Sequence, residues 1–162
     1  MTIKTMITFK DFLIFNLKSS LIRIIVFPII ALIFFGINYY NADNDHREFM
    51  ESASVWLLVF FVFIMIRTYF NVKNIFYSNQ KIQENISYTF RDEKICMEGE
   101  TFNEDFTWNS IYKVKENKEW FLIYHNAQTM NMVSKKFFTK NQISGLRDLI
   151  RENKVKAKLR ND

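Results

Sequence analysis

Two apolar runs, Ile24 to Tyr40 and Ser54 to Phe70, dominate the pattern of hydrophobic and polar positions. The first carries no charge and the second only Arg67, close to its far end. A bilayer core takes roughly 20 mostly apolar helical residues, with about 17 as a lower bound. Both runs reach that bound once aromatic ends and snorkelling flanks are included. The pattern therefore predicts a two-helix transmembrane hairpin at 24–70, with spans at 24–41 and 53–70 and an acidic outward loop at 42–52. Pro28 predicts a packing kink in the first span. Ahead of the hairpin, residues 1–23 read as a cytoplasmic segment. Ile3, Thr5 and Ile7 alternate weakly, as in a short strand. Thr8 and Asp11 then stand at capping-box spacing, with Ile7 and Phe12 at the staple positions. They predict a juxtamembrane helix lying on the headgroups.

Beyond the second span the period changes twice. Val72, Ile75, Phe76 and Asn79 keep helical spacing, so residues 71–84 read as a helical connector. From residue 85 the period falls to two. Ile86, Tyr88 and Phe90 alternate with Ser87 and Thr89, and five further short strands follow: KICME, TFNEDFTW, SIYKVK, WFLIYH and TMNMVS. Polar breaks at Asn109, at 116–118 and at 126–128 separate the later ones. Thr139 and Gln142 form a second capping box. Ile143, Leu146, Leu149 and Ile150 then make an apolar helical stripe. The expectation for 85–153 is a small antiparallel sheet curling into a partly open barrel, closed by that helix. Without the helix, so little sheet would bury too small a core. The basic tail 154–162 is either a frayed, solvated end or a contact with anionic lipid. The fold class is thus an α+β membrane protein.

Charge orients the hairpin. Lys4, Lys10, Lys18 and Arg23 precede the first span, and Arg67, Lys73 and Lys81 follow the second. Between them Asp43, Asp45, Glu48 and Glu51 outweigh Arg47. Basic residues stay on the cytoplasmic side, so Lys10, Lys18, Arg23, Arg67 and Lys73 set the topology with both termini in the cytoplasm. A secretory signal peptide is not expected: the polar stretch before the first run is long, and Tyr40-Asn41-Ala42 is a poor cleavage site. The net charge of +5 is absorbed by topology and lipid contact rather than by nucleic acid.

Composition restricts the chemistry. Three Gly leave no room for a phosphate cradle, and a lone Cys excludes an internal disulfide or a multi-cysteine metal site. No acid, Lys or His lies deep in either span, which argues against an ion path. Asp43, Asn44, Asp45 and Glu48 read as a solvated loop, with a hard-cation site as the alternative. His125 stands at a strand end, Cys96 in a strand, and Glu104 and Asp105 are adjacent and so point opposite ways. None of these forms a nucleophile–base pair. No catalytic residue, cofactor or metal is expected. The candidates for partner or lipid contact are Trp120, Lys135, Lys136, Lys154, Lys156, Lys158 and Arg160. Trp120 also reads as core.

Three segments, SYTFRDEKICMEGE, FTWNSIYKVKENKEWFLIYHN and VSKKFFTKNQISGLRDLI, carry a resemblance to the YcxB-like family of bacterial membrane proteins. Trp108, Ile111 and Val114 stand as the family's W-x-x-I-x-x-V run, with Glu116 after it. Val133, Lys135 and Phe138 match its closing segment, while Ser134 replaces a common Pro. ITFKDFLIFN resembles the family's leading segment, so coverage is nearly the whole chain. The resemblance implies a pleckstrin-homology-like cytoplasmic domain and carries over no catalytic residues.

These readings lead to a non-enzymatic protein of the bacterial inner membrane, with membrane lipids and a protein as partners. One specific form is an immunity protein that meets a membrane-targeting toxin in the bilayer. The alternative is a membrane-anchored sensor or adaptor reading lipid or envelope state. No GxxxG seam indicates an oligomeric state.

Overall fold

The computed structural model describes residues 1–21, 25–41 and 43–161. Arg23 and Ile24, and Ala42 at the start of the expected loop, lie outside them. The chain divides into residues 1–7 with 80–162, and residues 8–79.

In the first unit eight short strands form two four-stranded sheets. One has the order β1 (Thr2–Thr5), β2 (Ile86–Phe90), β3 (Lys94–Glu98), β4 (Asn103–Thr107), and all its neighbours are antiparallel. The other runs β7 (Met130–Ser134), β6 (Trp120–Tyr124), β5 (Lys113–Glu116), β8 (Ala157–Lys158), with β8 added parallel to β5. The expected six-strand meander is thus interrupted between β4 and β5. There the 3-10 turn Trp108–Ser110 swings Trp108 inward, and its indole N–H donates to the Arg91 carbonyl at 2.9 Å.

Alternation explains the core. Ile3, Tyr88, Phe90, Ile95 and Met97 from the first sheet meet Val114, Phe121, Ile123 and Val133 from the second. Helix α5 (Lys140–Glu152) closes this core with Leu146 and Ile150, and Ile143 and Leu149 pack beside them. Its N-terminus carries the reciprocal bonds of a capping box between Thr139 and Gln142. Its C-terminus ends on Lys154 in the left-handed conformation, φ 53°. The Lys154 N–H donates to Arg151 and that of Val155 to Ile150, the paired bonds of a Schellman motif. The chain then turns back along β5, so the tail is neither frayed nor wholly solvated. Val155 and Leu159 pack on the core, and Ala157 pairs in register with Val114.

The second unit is helical. It comprises α1 (Phe9–Leu21), α2 (Phe27–Asn41) and α3 (Asn44–Ser78); the one-turn α4 (Gln80–Gln83) belongs with the sheets. Thr8 and Asp11 exchange capping-box bonds of 3.4 and 3.2 Å at the start of α1. Both α1 and α2 pack against α3. Phe9 lies 5.6 Å from the rings of both Phe76 and Tyr77, and Phe12 5.7 Å from Phe76. The first helix therefore packs on the last turns of α3 through Phe9 and Phe12.

Pro28 sits in the first turn of α2, directly after a π turn at 25–26. Its missing N–H breaks the ladder there, which the wider turn absorbs. The acidic stretch expected as a loop is helical from Asn44 onward. Asp43 stands at its N-cap, where a negative charge faces the positive end of the helix dipole. Among the described residues one helix, α3, is long and apolar enough to cross a membrane, and α2 is a shorter apolar helix. Phe34, Phe60, Phe63 and Phe70 are all exposed along them.

Candidate functional site

Two groups of charged residues in the sheet unit bear on function. The first surrounds Glu116. Sequence spacing places this residue in a polar break, but it ends β5 on the same side as Val114, with its carboxylate fully buried. Lys135 Nζ approaches Oε1 at 2.5 Å, and Arg147 donates to Oε1 and Oε2 at 2.7 and 2.9 Å. The Arg160 backbone N–H adds a bond of 3.0 Å. Burial pushes the carboxyl up, but the donors from Arg147, Lys135 and Arg160 outweigh it and hold it below the ordinary range. Each donor comes from a different stretch: the turn after β7, α5, and the segment after β8. The cluster ties three stretches of chain to one carboxylate.

The second group lies on the face of β5 and β8 that points away from the core. Lys113 and Lys115 alternate with inward Val114 and Glu116, and Lys156 and Lys158 with Val155 and Leu159, which pack on the core, and with an exposed Ala157. Lys115 stands opposite Lys158 in register. One residue back stand Lys113 and Lys156, where the Val114 N–H donates to the Lys156 carbonyl. Lys113 Nζ lies 4.9 Å from the Tyr112 ring and 4.8 Å from the Tyr124 ring. Tyr112 is 48% exposed.

The sequence candidates scatter over this map. Trp120 is not an exposed binding aromatic: it is only 4% exposed, because WFLIY is buried on both faces. Lys135 is turned inward to Glu116, with 11% of its side chain exposed. Lys136 is exposed beside Phe137, 5.0 Å from its ring. Lys154 holds the helix turn, while Lys156 and Lys158 lie on the lysine face. Arg160 reaches Glu116 through its backbone. Of the topology residues, Lys10 and Lys18 lie on α1 and Arg67 and Lys73 on the second half of α3. Sequence reasoning missed Lys113, Lys115 and Glu116, although KVKE and KVKAKL both alternate and so carried the signal.

The residues considered for chemistry each have their own neighbours. His125 packs on the Phe106 ring at 4.3 Å, and burial lowers its pKa against the opposing pull of Glu104 and Asn131. Cys96 donates to Asp105, which with burial raises its thiol pKa and disfavours the reactive thiolate. Glu104 and Asp105 pair separately, with Lys81 and Lys94. Among the described residues no three His, Cys, Asp or Glu side chains gather as metal ligands.

The YcxB-like protein family matches residues 90–150. That segment is YcxB-like. It includes β3 to β7, most of α5 and every residue of the Glu116 cluster except Arg160. No curated protein and no solved structure matches the chain. The YcxB-like residues now have physical roles. Trp108, Ile111, Val114 and Val133 are buried core, and Phe138 packs on it. Glu116 and Lys135 are the two halves of one buried ion pair. What the sequence presents as a diffuse motif is the wall of the core and the bond that closes it.

Proposed function

We propose that this YcxB-like chain is a non-enzymatic inner-membrane protein. In this reading residues 24–70, within the helical unit 8–79, are a two-span hairpin, and a pleckstrin-homology-like cytoplasmic domain joins it in binding a protein partner. The observation that carries the reading is the pairing of β1 with β2. Ile3 stands opposite Tyr88, and the backbones of Met1 and Phe90 exchange bonds of 2.7 and 2.8 Å. A sheet cannot be shared across a bilayer, so the segments on either side of the helices occupy one compartment. The helical insert must then cross an even number of times. If α3 spans, α2 spans with it.

Lengths and charges support the same reading. The 35 residues of α3 extend about 52 Å, against a hydrocarbon core of about 30 Å. The surplus matches the part of α3 that carries Lys73 and packs against α1. The 15 residues of α2 reach about 22 Å, so its span needs the apolar residues just before it or local thinning. Exposed Phe side chains would be untenable in water and are at home in lipid. Acidic residues gather where α2 meets α3, and basic ones on α1 and the far end of α3, as positive-inside orientation requires. Two sheets on one core with a closing C-terminal helix support the pleckstrin-homology-like reading. The partner-binding role, with toxin immunity as its specific form, is supported by a small sheet domain anchored through a helical insert.

Labelling with an impermeant maleimide in intact spheroplasts tests the topology. In a Cys96→Ser background, a Cys introduced at His46 is expected to label from outside, and one at the exposed turn residue Lys118 only after permeabilisation. Labelling of both from the same side overturns the hairpin. Purification from native membranes in mild detergent then tests the partner. A single stoichiometric protein supports the reading, and lipid alone refutes it.

A further inference from the structure

We propose that the lysine face of β5 and β8 docks on the anionic phosphodiester headgroups of the bilayer that holds the same chain. The occupant rests on the hairpin reading above; the surface itself rests on geometry. Two rows cross the sheet, Tyr124–Lys113–Lys156 and Leu122–Lys115–Lys158. Adjacent strands lie about 4.8 Å apart and alternate residues about 6.6 Å, so the four ammonium stems rise from one small rectangle. Elsewhere in the unit Lys81, Lys94, Lys135 and Arg151 each meet a carboxylate. Among the described residues none of the four lysines does. Like charges in register disfavour strand pairing, and β8 pairs through only two residues. An anion bridging both strands removes that repulsion and supplies the missing counter-charge.

The surroundings select a membrane surface over a compact ligand. Lys115, Lys156 and Lys158 are exposed, and Tyr112 and Tyr124 flank Lys113 with amphipathic rings of the kind enriched at headgroup level. Each lysine close to an anionic leaflet contributes on the order of fivefold. That is weak for a free domain and sufficient for a tethered one, because the anchor makes the contact intramolecular.

The test uses the full chain in nanodiscs of phosphatidylcholine, with and without phosphatidylglycerol, and reads acetylation of each lysine by mass spectrometry. Lys113, Lys115, Lys156 and Lys158 are expected to react several-fold more slowly on the anionic discs, with the difference lost at high salt. Lys118 and Lys140, in a turn and at the start of α5, are expected to react equally on both. Equal rates for the four, or equal slowing of all six, overturns the proposal. The double variant Lys115→Gln/Lys158→Gln should abolish protection of Lys113 and Lys156 while leaving the thermal midpoint unchanged or higher. Protection that survives it counts against the face. Alkaline carbonate extraction reads the anchor separately. If the chain is released, the hairpin fails, and co-sedimentation with phosphatidylglycerol vesicles then decides the face alone: no sedimentation refutes it.

Discussion

Replacing Glu116 by Gln keeps the side-chain volume and removes the only negative charge in the cluster it forms with Lys135 and Arg147. Each carboxylate oxygen accepts two bonds: Oε1 from Lys135 and Arg147, Oε2 from Arg147 and the Arg160 N–H. Whichever position becomes the amide NH2 turns a donor toward donors, so two bonds are lost. Breaking a buried pair by removing one partner costs about 3–5 kcal/mol. The two cations retain 11% and 12% exposure and so recover some hydration, which favours about 3 kcal/mol. For a domain of this size that is a fall of roughly 12–24 °C in midpoint. Trp108 and Trp120 are both buried in this unit, so tryptophan fluorescence in a Trp56→Phe background follows its unfolding without signal from α3. A loss below about 1 kcal/mol, the range of solvated surface pairs, refutes the reasoning. The pH dependence gives a second check. Folding lowers the Glu116 pKa below its ordinary 4.5, so the unfolded chain binds the proton first as pH falls. The contribution is complete above about 4.5, declines below it as pH passes through the folded value, and is absent from the Gln variant.

Three further substitutions test other parts of the fold by the same assay. Lys154→Gly relieves a left-handed lysine that costs about 1 kcal/mol; after the entropy of Gly it should raise the midpoint by a few degrees, and a lower midpoint refutes the strain. Gly99→Ala places a Cβ against the Phe102 ring and 2.6 Å from Glu84 Oε2, the oxygen that accepts from the Glu100 and Thr101 N–H groups. Overpacking of this kind costs about 1–3 kcal/mol, and an unchanged urea midpoint would show that the turn yields freely. Ile3→Ala, at a residue buried against the sheet core, should cost about 2–5 kcal/mol; a neutral result would show that β1 is dispensable.

Much of the sheet unit is legible from local signals. Six strands announce themselves by alternation and the closing helix by its capping box, because those signals are read within a few residues. What sequence order hides is the long-range part. MTIKTMI looks too short to be a strand because its hydrogen-bonding partner, β2, lies on the other side of the helices. KVKAKLR reads as a basic tail because its lysines are conspicuous, although Val155 and Leu159 pack on the core. Glu116 reads as a turn residue because its counter-charges, Lys135 and Arg147, are supplied by distant elements. Trp120 misleads for the opposite reason: its neighbours Lys118 and Glu119 are exposed, but its own strand is buried on both faces.

The position of β1 also sets a requirement on the helices. Met1 and Phe90 are 89 residues apart in sequence, and closing a flexible loop of that length costs about 4 kcal/mol beyond its constant term. A four-residue edge strand bonded on one side only is poorly placed to meet that cost alone. The helical unit reduces it by bringing its own two ends together. Phe9, the first residue of α1, packs on Phe76 and Tyr77 at the last turn of α3. With those rings in contact the connection between β1 and β2 is effectively a short link of a few residues on either side. Removing the clamp with Phe9→Ala and Phe76→Ala would restore the long loop. The expected outcome is faster hydrogen exchange at the Tyr88 and Phe90 amides than in the parent chain, and unchanged exchange would refute the dependence of β1 on the clamp.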